Sequence, residues 1–219
     1  MAVMHKIRSF HDRYPYLGPL FWVLSIQYYL IQLIVAAAWT RAHYSWLHNT
    51  ISDLGNTVCG PYGTWLVCSP LHMLMNASFI VLGSTMILGS LLVYHEFQRS
   101  TGSAIGFSFM AMAGLGTALV GLFPENTVSA LHVLGAALPF ILGNFSLLVL
   151  GKSLTLPRAL RVYTVLSGGI ALIALGFFVT HTYLGIGQGG IERITAYPQT
   201  IWLIVFGAYI ARDHYLRQR

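Results

Sequence analysis

The stretch VSALHVLGAALPFILGNFSLLVL (Val128–Leu150) runs for 23 residues without an Asp, Glu, Lys or Arg. A helix of that length crosses the roughly 30 Å hydrocarbon core of a bilayer. Five other stretches read the same way: Leu17–Trp39, Pro70–Tyr94, Ser103–Phe123, Val162–Tyr183 and Tyr197–Ile210, the last extended at both ends. Composition agrees. Of 219 residues, 56% are hydrophobic and 8% charged, whereas a soluble domain carries about 25% charged residues. Lipid is therefore the solvent for most of the chain. In lipid, backbone polar groups must be satisfied within their own segment, so the spans are helices. The expected fold is an all-α integral membrane protein of six transmembrane helices, one domain over residues 1–219.

Lys and Arg near the spans set the orientation. With the N-terminus inside, the inner segments hold Lys6, Arg8, Arg13, Arg99, Lys152, Arg158, Arg161, Arg212, Arg217 and Arg219. The outer segments hold only Arg41 and Arg193. This bias predicts cytoplasmic N- and C-termini and a long first extracytoplasmic loop, Thr40–Ser69. The net charge of +6 then follows from topology and from attraction to anionic inner-leaflet lipid. No nucleic-acid partner is needed to explain it. The basic start, the apolar run and Ala36-Ala37-Ala38 superficially fit a signal peptide. The run is too long for an h-region, so a retained helix is expected.

Three of the six acidic residues, Asp53, Glu125 and Glu192, are expected in the outer loops. Each has polar company: HNTISDLGN (His48–Asn56), FPENTVSALH (Phe123–His132) and GIGQGGIERITAYP (Gly185–Pro198). In the first loop, TISDLGN and CGPYG read as turns with a short helix over the bundle, and Ser52 or Asp53 could be an ordinary helix cap. Cys59 and Cys68 share that loop. Outside the cytoplasm a disulfide is expected between them, with two free thiols as the alternative. Small residues recur at helix-packing intervals: Gly102, Gly106, Gly114, Gly121, Gly168, Gly169 and Gly176.

The ordered set ISDLGN (Ile51–Asn56), SPL (Ser69–Leu71), GLFPENT with a following His (Gly121–His132), and GGIER ending in a Trp (Gly189–Trp202) resembles a known family. It is similar to the uncharacterised prokaryotic membrane proteins catalogued as domain of unknown function 998. The resemblance covers nearly the whole chain. It implies a six-span helical protein in a prokaryotic plasma membrane, and no activity.

His72, His132 and His181 are expected near the outer ends of spans two, four and five. Ionisable groups at such depth are costly and usually functional; the bland alternative is that each bonds a neighbouring hydroxyl or carbonyl. Three imidazoles with a carboxylate would suit a catalytic zinc. Zinc-dependent transmembrane hydrolases such as ceramidases, which place a Ser and an Asp beside three His, offer an analogy for Ser52 and Asp53. No HxxxH or HExxH motif supports it. Two facing His could instead ligate haem. Glu125 and His132 share a face if the helix starts near Glu125, although Glu125 could merely cap that helix. GIGQGGIER follows no strand, so the dinucleotide fingerprint does not apply, and its glycines read as a mobile loop. Glu192 and Arg193 either pair with each other or, with Arg41, contact a lipid head group. The aromatics include Trp39, Trp46, Trp65 and Trp202, and interfacial belt positions are expected to explain most of them.

The expected function is an intramembrane hydrolase or group transferase acting on a lipid or amphiphile at the extracytoplasmic face. Asp53 or Glu125 would be the base, with Ser52 and His132 in the catalytic set and His72, His132 and His181 as possible zinc ligands. Arg193, Glu192 and Arg41 would bind the substrate. The alternatives are a non-catalytic lipid carrier or accessory subunit, and a haem or quinone redox protein. The charge count makes a direct test possible. A membrane-impermeant maleimide added to intact cells should label Asn126→Cys and spare Thr155→Cys. The reverse pattern would overturn the orientation.

Overall fold

The computed structural model describes residues 13–41, 43–63 and 65–218. Lys6, Arg8, Arg219, His5 and His11 lie outside the described residues. Six helical spans are long and apolar enough to cross a membrane. The first is broken into α1 (Leu17–Val23) and α2 (Ile26–Ala37). The second is α3 (His72–Val93), and the third is α4 (Thr101–Leu122), which opens with a Ser100–Ser103 capping box. The fourth consists of α5 (Ser129–Leu138), a π-turn at Pro139–Gly143, and α6 (Asn144–Ser153). The fifth and sixth are α7 (Arg158–Val179) and α8 (Gly187–Arg217). Successive spans pack side by side, and α8 closes the ring against both α7 and α1.

The closure is aromatic. Trp202 of α8 stacks on Phe206, with ring centroids 4.4 Å apart, and lies 5.5 Å from Trp22 of α1. Trp202 is fully buried and donates to Thr164 Oγ1 at 2.8 Å. Trp202 is thus not one of the belt aromatics: its indole anchors the core, where its N–H finds a hydroxyl.

Glycine seams carry the close helix contacts. A Cβ on Gly83 of α3 would come within 2.4 Å of Gly114 O, and one on Gly114 within 2.6 Å of Gly83 O. Gly116 of α4 and Gly135 of α5 face each other in the same reciprocal way. Gly102, Gly106, Gly121 and Gly168 are also tightly faced, as expected. Gly169 and Gly176 meet nothing within 4 Å, so the packing role expected of those two falls.

The connection between α2 and α3 holds a 3-10 turn at Ser52–Gly55 and an antiparallel hairpin, β1 (Cys59–Tyr62) with β2 (Trp65–Cys68). Cys59 pairs with Cys68 in register, and the two form a disulfide. The hairpin adds a β element to the expected all-α fold. Residues from both ends of the described chain meet at the opposite end of the bundle: Tyr16 Oη donates to Gln218 Oε1 at 3.1 Å.

The seam between α3 and α4 is the test of this packing. Gly83→Val drives methyl groups into backbone and should cost about 1–3 kcal/mol, read as a lower Tm in detergent. Gly169→Ala should stay within about 0.5 kcal/mol. Equal melting temperatures would show that the seam is not where the helices are held.

Candidate functional site

The site is built on a backbone junction. In contrast to the loop expected there, GIGQGGIER is largely helix: α8 begins at Gly187. A Cβ on Gly187 would meet Leu47 O at 2.2 Å, and one on Gly189 would meet Asn49 O at 2.1 Å. The glycines thus admit the 45–50 backbone against the first turn of α8.

Arg193 fastens that junction. Its Nη1 donates to Trp46 O at 2.9 Å, Asn49 O at 3.0 Å and Gly189 O at 2.8 Å. Its Nη2 donates to the Tyr44 hydroxyl, which passes its own proton to Thr50 O at 2.8 Å. Burial raises the Tyr44 hydroxyl above the ordinary phenol range, which keeps that proton in place. The guanidinium also lies over the rings of Trp46 and Tyr44. At 8% exposure it is a clamp on the loop and has no face left for a head group. Arg41 is exposed beside Cys59, with Nη1 4.0 Å from the sulfur. The expected Arg193–Arg41 anion site does not form. Nor do Glu192 and Arg193 pair, because adjacent helical residues diverge.

The clamped segment delivers the 3-10 turn. Thr50 and Asp53 form a reciprocal cap: Thr50 N donates to Asp53 Oδ2 at 3.0 Å, and Asp53 N donates to Thr50 Oγ1 at 3.1 Å. Asn49 Nδ2 adds a bond to the same Asp53 oxygen at 2.8 Å. The capping alternative therefore describes Asp53. Ile51 N donates to Glu192 Oε2 at 2.5 Å, tying the turn to α8.

Between Asp53 and Ile51 on this turn, Ser52 meets a histidine. Ser52 Oγ lies 2.9 Å from His132 Nε2, and His132 Nδ1 lies 2.8 Å from Phe123 O. A carbonyl only accepts, so Nδ1 carries the proton. In the neutral ring Nε2 is then the acceptor, and the Ser52 hydroxyl donates to it. His132 is held at one turn into span four, where the α4–α5 connection folds the Phe123 carbonyl back over it.

Glu125 completes the polar wall from the Pro124–Thr127 turn. The helix starts only at Ser129, so the shared helical face expected for Glu125 and His132 is replaced by a turn facing the loop. Asn56 Nδ2 donates to Glu125 Oε1 at 3.1 Å. Burial, reinforced by the charge of Asp53 and a hydrogen bond with its carboxyl, pushes Glu125 up to about 9. Glu125 is thus a neutral acid at pH 7. Thr57 and Asn126 exchange two more bonds across the same seam, at 3.0 and 2.9 Å.

Ser52, His132, Glu125 and Glu192 line one groove of about 310 Å³. It runs between spans four, five and six, past Ala137, Phe140, Leu175 and Phe178. Its rim residues Val133, Ile141 and Val179 are exposed on the outside of the bundle. Gln188 and Thr50, which the sequence reading passed over, also line it.

Comparison with known proteins agrees with these motifs. The family model described as "Protein of unknown function (DUF998)" matches residues 23–209. The chain belongs to this family. No curated protein and no solved structure matches it. The DUF998 resemblance read from ISDLGN, SPL, FPENT and GGIER is thereby borne out, and in the fold these four segments converge. Ser69 Oγ donates to Leu54 O at 2.6 Å, which brings SPL to the same turn.

The histidine triad does not form. His72 Nδ1 bonds Ser69 O at 3.0 Å at the start of α3, where it closes a turn. His181 is exposed beyond α7 and bonds the Tyr183 hydroxyl at 2.8 Å. Both ring nitrogens of His132 are occupied. Among the described residues no three His, Cys, Asp or Glu side chains are placed to hold a metal ion. The zinc set of His72, His132 and His181 therefore does not fit this donor arrangement.

The Glu125 proton gives a stability test. Its folded value, about 9, lies above the ordinary 4.5, so the folded state holds this proton more tightly than the unfolded state. Its stabilising contribution is complete below about pH 4.5 and is lost as pH rises through about 9. The Tm of the wild type in detergent should fall across that window, and Glu125→Gln should flatten the fall. An unchanged slope in the variant would remove Glu125 as the cause.

Proposed function

We propose that this protein is an intramembrane serine acyl hydrolase or acyltransferase acting on an ester of a lipid or other amphiphile at the extracytoplasmic face. The observation that carries the proposal is the Ser52–His132 hydrogen bond, with the far side of the imidazole fixed by Phe123 O. A serine is a weak nucleophile until a positioned base takes its proton. Here His132 Nε2 takes it as Ser52 Oγ attacks the ester carbonyl. His132 then returns the proton to the departing alcohol. The base is thus His132 rather than Asp53 or Glu125.

Glu125, kept neutral with its proton shared with the Asp53 carboxyl, adds no negative charge of its own at the polar end of the groove, where charge develops on the carbonyl oxygen. Phe123 O and Asn56 are positioning groups, acting through His132 and Glu125 respectively. The apolar groove, open along the outside of the bundle, supports a substrate that arrives from lipid. Its polar end carries carboxyl groups and no free cation, which favours a neutral or cationic head group over an anionic one. The charge bias across the spans supports the extracytoplasmic location.

A carrier of the same amphiphile is the second reading. It rests on the groove alone, whose volume of about 310 Å³ is that of a small ligand pocket. A fluorophosphonate probe separates the two. It should label Ser52 in the purified full-length protein, Ser52→Ala should abolish the label, and His132→Ala should slow it by about 10²–10⁴-fold. Folded wild-type protein that stays unlabelled at Ser52, yet carries co-purified lipid, would overturn catalysis in favour of the carrier.

A further inference from the structure

Ser52 also lines a second cavity, of about 50 Å³. It is bounded by spans one, two, three, four and six, and only Ser52, Glu192, Ala136 and Phe140 belong to both spaces. Most of its wall is apolar. Its polar members are Tyr28, Ser52, Thr117, Glu192, Gln199 and Thr200. The Thr117 hydroxyl spends its proton on Ala113 O at 2.9 Å, and Thr200 spends its own on Ala196 O at 3.2 Å. Both keep their lone pairs. Gln199 is 3% exposed and its Oε1 has no hydrogen-bond partner. Glu192 reaches the same space with its carboxyl, one oxygen of which already takes the Ile51 N–H.

A cavity of this size excludes an acyl chain. At about 10–15 Å³ each it accommodates three or four waters. Its wall carries polar groups with bonding capacity left over, Gln199 Oε1 above all, and water can both donate to and accept from them. The fold produces the cavity at a point where two helices are irregular. The π-turn at Pro139–Gly143 widens span four, and Pro198 interrupts α8 just ahead of Gln199. A side chain longer than hydrogen at Gly143 would strike Gln199 Oε1, at 1.8 Å from its Cβ, so the same irregular turn also seats that amide.

We propose that this cavity is a water chamber, holding a small hydrogen-bonded cluster against Gln199, Thr117, Thr200 and Glu192 and opening on Ser52. The chamber itself rests on the wall chemistry. Its role rests on the reading of Ser52 as nucleophile. In that role it selects hydrolysis over transfer. One chamber water gives a proton to His132 Nε2 while its oxygen bonds the acyl carbon. The bond from that carbon to Ser52 Oγ then breaks, His132 returns the proton to Ser52, and the free acid leaves by the groove.

X-ray radiolysis tests the chamber without any substrate. Radicals formed from a bound water oxidise the side chains beside it. Met86 lines the chamber at 1% exposure, whereas Met75 and Met110, each 0% exposed, do not line it. In the full-length protein in nanodiscs, Met86 should oxidise on the order of ten times faster than Met75 and Met110, because water is held only at Met86. Gln199→Leu combined with Thr117→Val should bring Met86 down to their rate. Wild-type Met86 oxidising no faster than the other two would overturn the proposal. If Met86 reacts fast but Ser52 takes no fluorophosphonate, the chamber stands and its hydrolytic role falls. With p-nitrophenyl butyrate, Gln199→Leu should keep the nitrophenol burst and slow the following steady rate by about tenfold. Equal loss of burst and steady rate would reject the hydrolytic role.

Discussion

A guanidinium inside a membrane protein has to be matched by acceptors, because lipid offers none. The seat of Arg193 meets that constraint with backbone rather than with a carboxylate. Three carbonyls and a tyrosine hydroxyl take the N–H groups of its two terminal nitrogens, while Nε is buried without a partner. Those carbonyls belong to the 46–49 segment and to α8 itself, so satisfying the charge also fixes where the connection lies. Everything downstream of that segment, from the Thr50–Asp53 cap to the Ser52 hydroxyl, inherits its position from this one residue. The tight glycines at 187 and 189 serve the same end, since any side chain there would hold the carbonyls too far away.

With the terminal nitrogens of Arg193 bonded to backbone and Tyr44, none of the three carboxyl groups nearby is hydrogen-bonded to it, and each is managed differently. Asp53 is held by Asn49 and by the Thr50 N–H. Glu192 accepts the Ile51 N–H. Glu125, the most crowded by its neighbours, keeps a proton instead. A polar cluster of this kind is costly unless all its members are matched. The interlocking bonds of Asn56, Ser69, Asn126 and Tyr62 do that matching.

The architecture was legible in the sequence because lipid imposes a simple rule: long apolar runs must be helices. Five of the six spans were recognisable from such runs alone. The sixth was read too short at its start, since Glu192, Arg193 and four glycines between 185 and 190 look like a loop. Their meaning lies in a neighbour some 140 residues away in sequence, and no local pattern carries that. The same is true of the site. Asp53, Glu125, His132 and Ser52 were picked out as polar residues at a common depth, and the fold brings them to one wall. Depth does not fix azimuth around a bundle, however, so His72 and His181 were grouped with His132 although they face elsewhere. The hairpin carried a usable signal in the run Trp65-Leu66-Val67 opposite Cys59–Tyr62, bounded by a glycine with φ +58° at Gly63. Gln199, Gln188 and Thr50 left no signal, being ordinary polar residues in helix and loop.

The Arg193 seat also has a consequence for biogenesis. The polar turn leaves the ribosome early, directly after the first span, yet its backbone acceptors are claimed only by the last helix. Until α8 is inserted, the 45–56 segment has neither the guanidinium that gathers its carbonyls nor the glutamate that takes the Ile51 N–H. The serine and histidine therefore come into register only once α8 is in place. A chain truncated before span six carries every residue of the pair and lacks the means to align them.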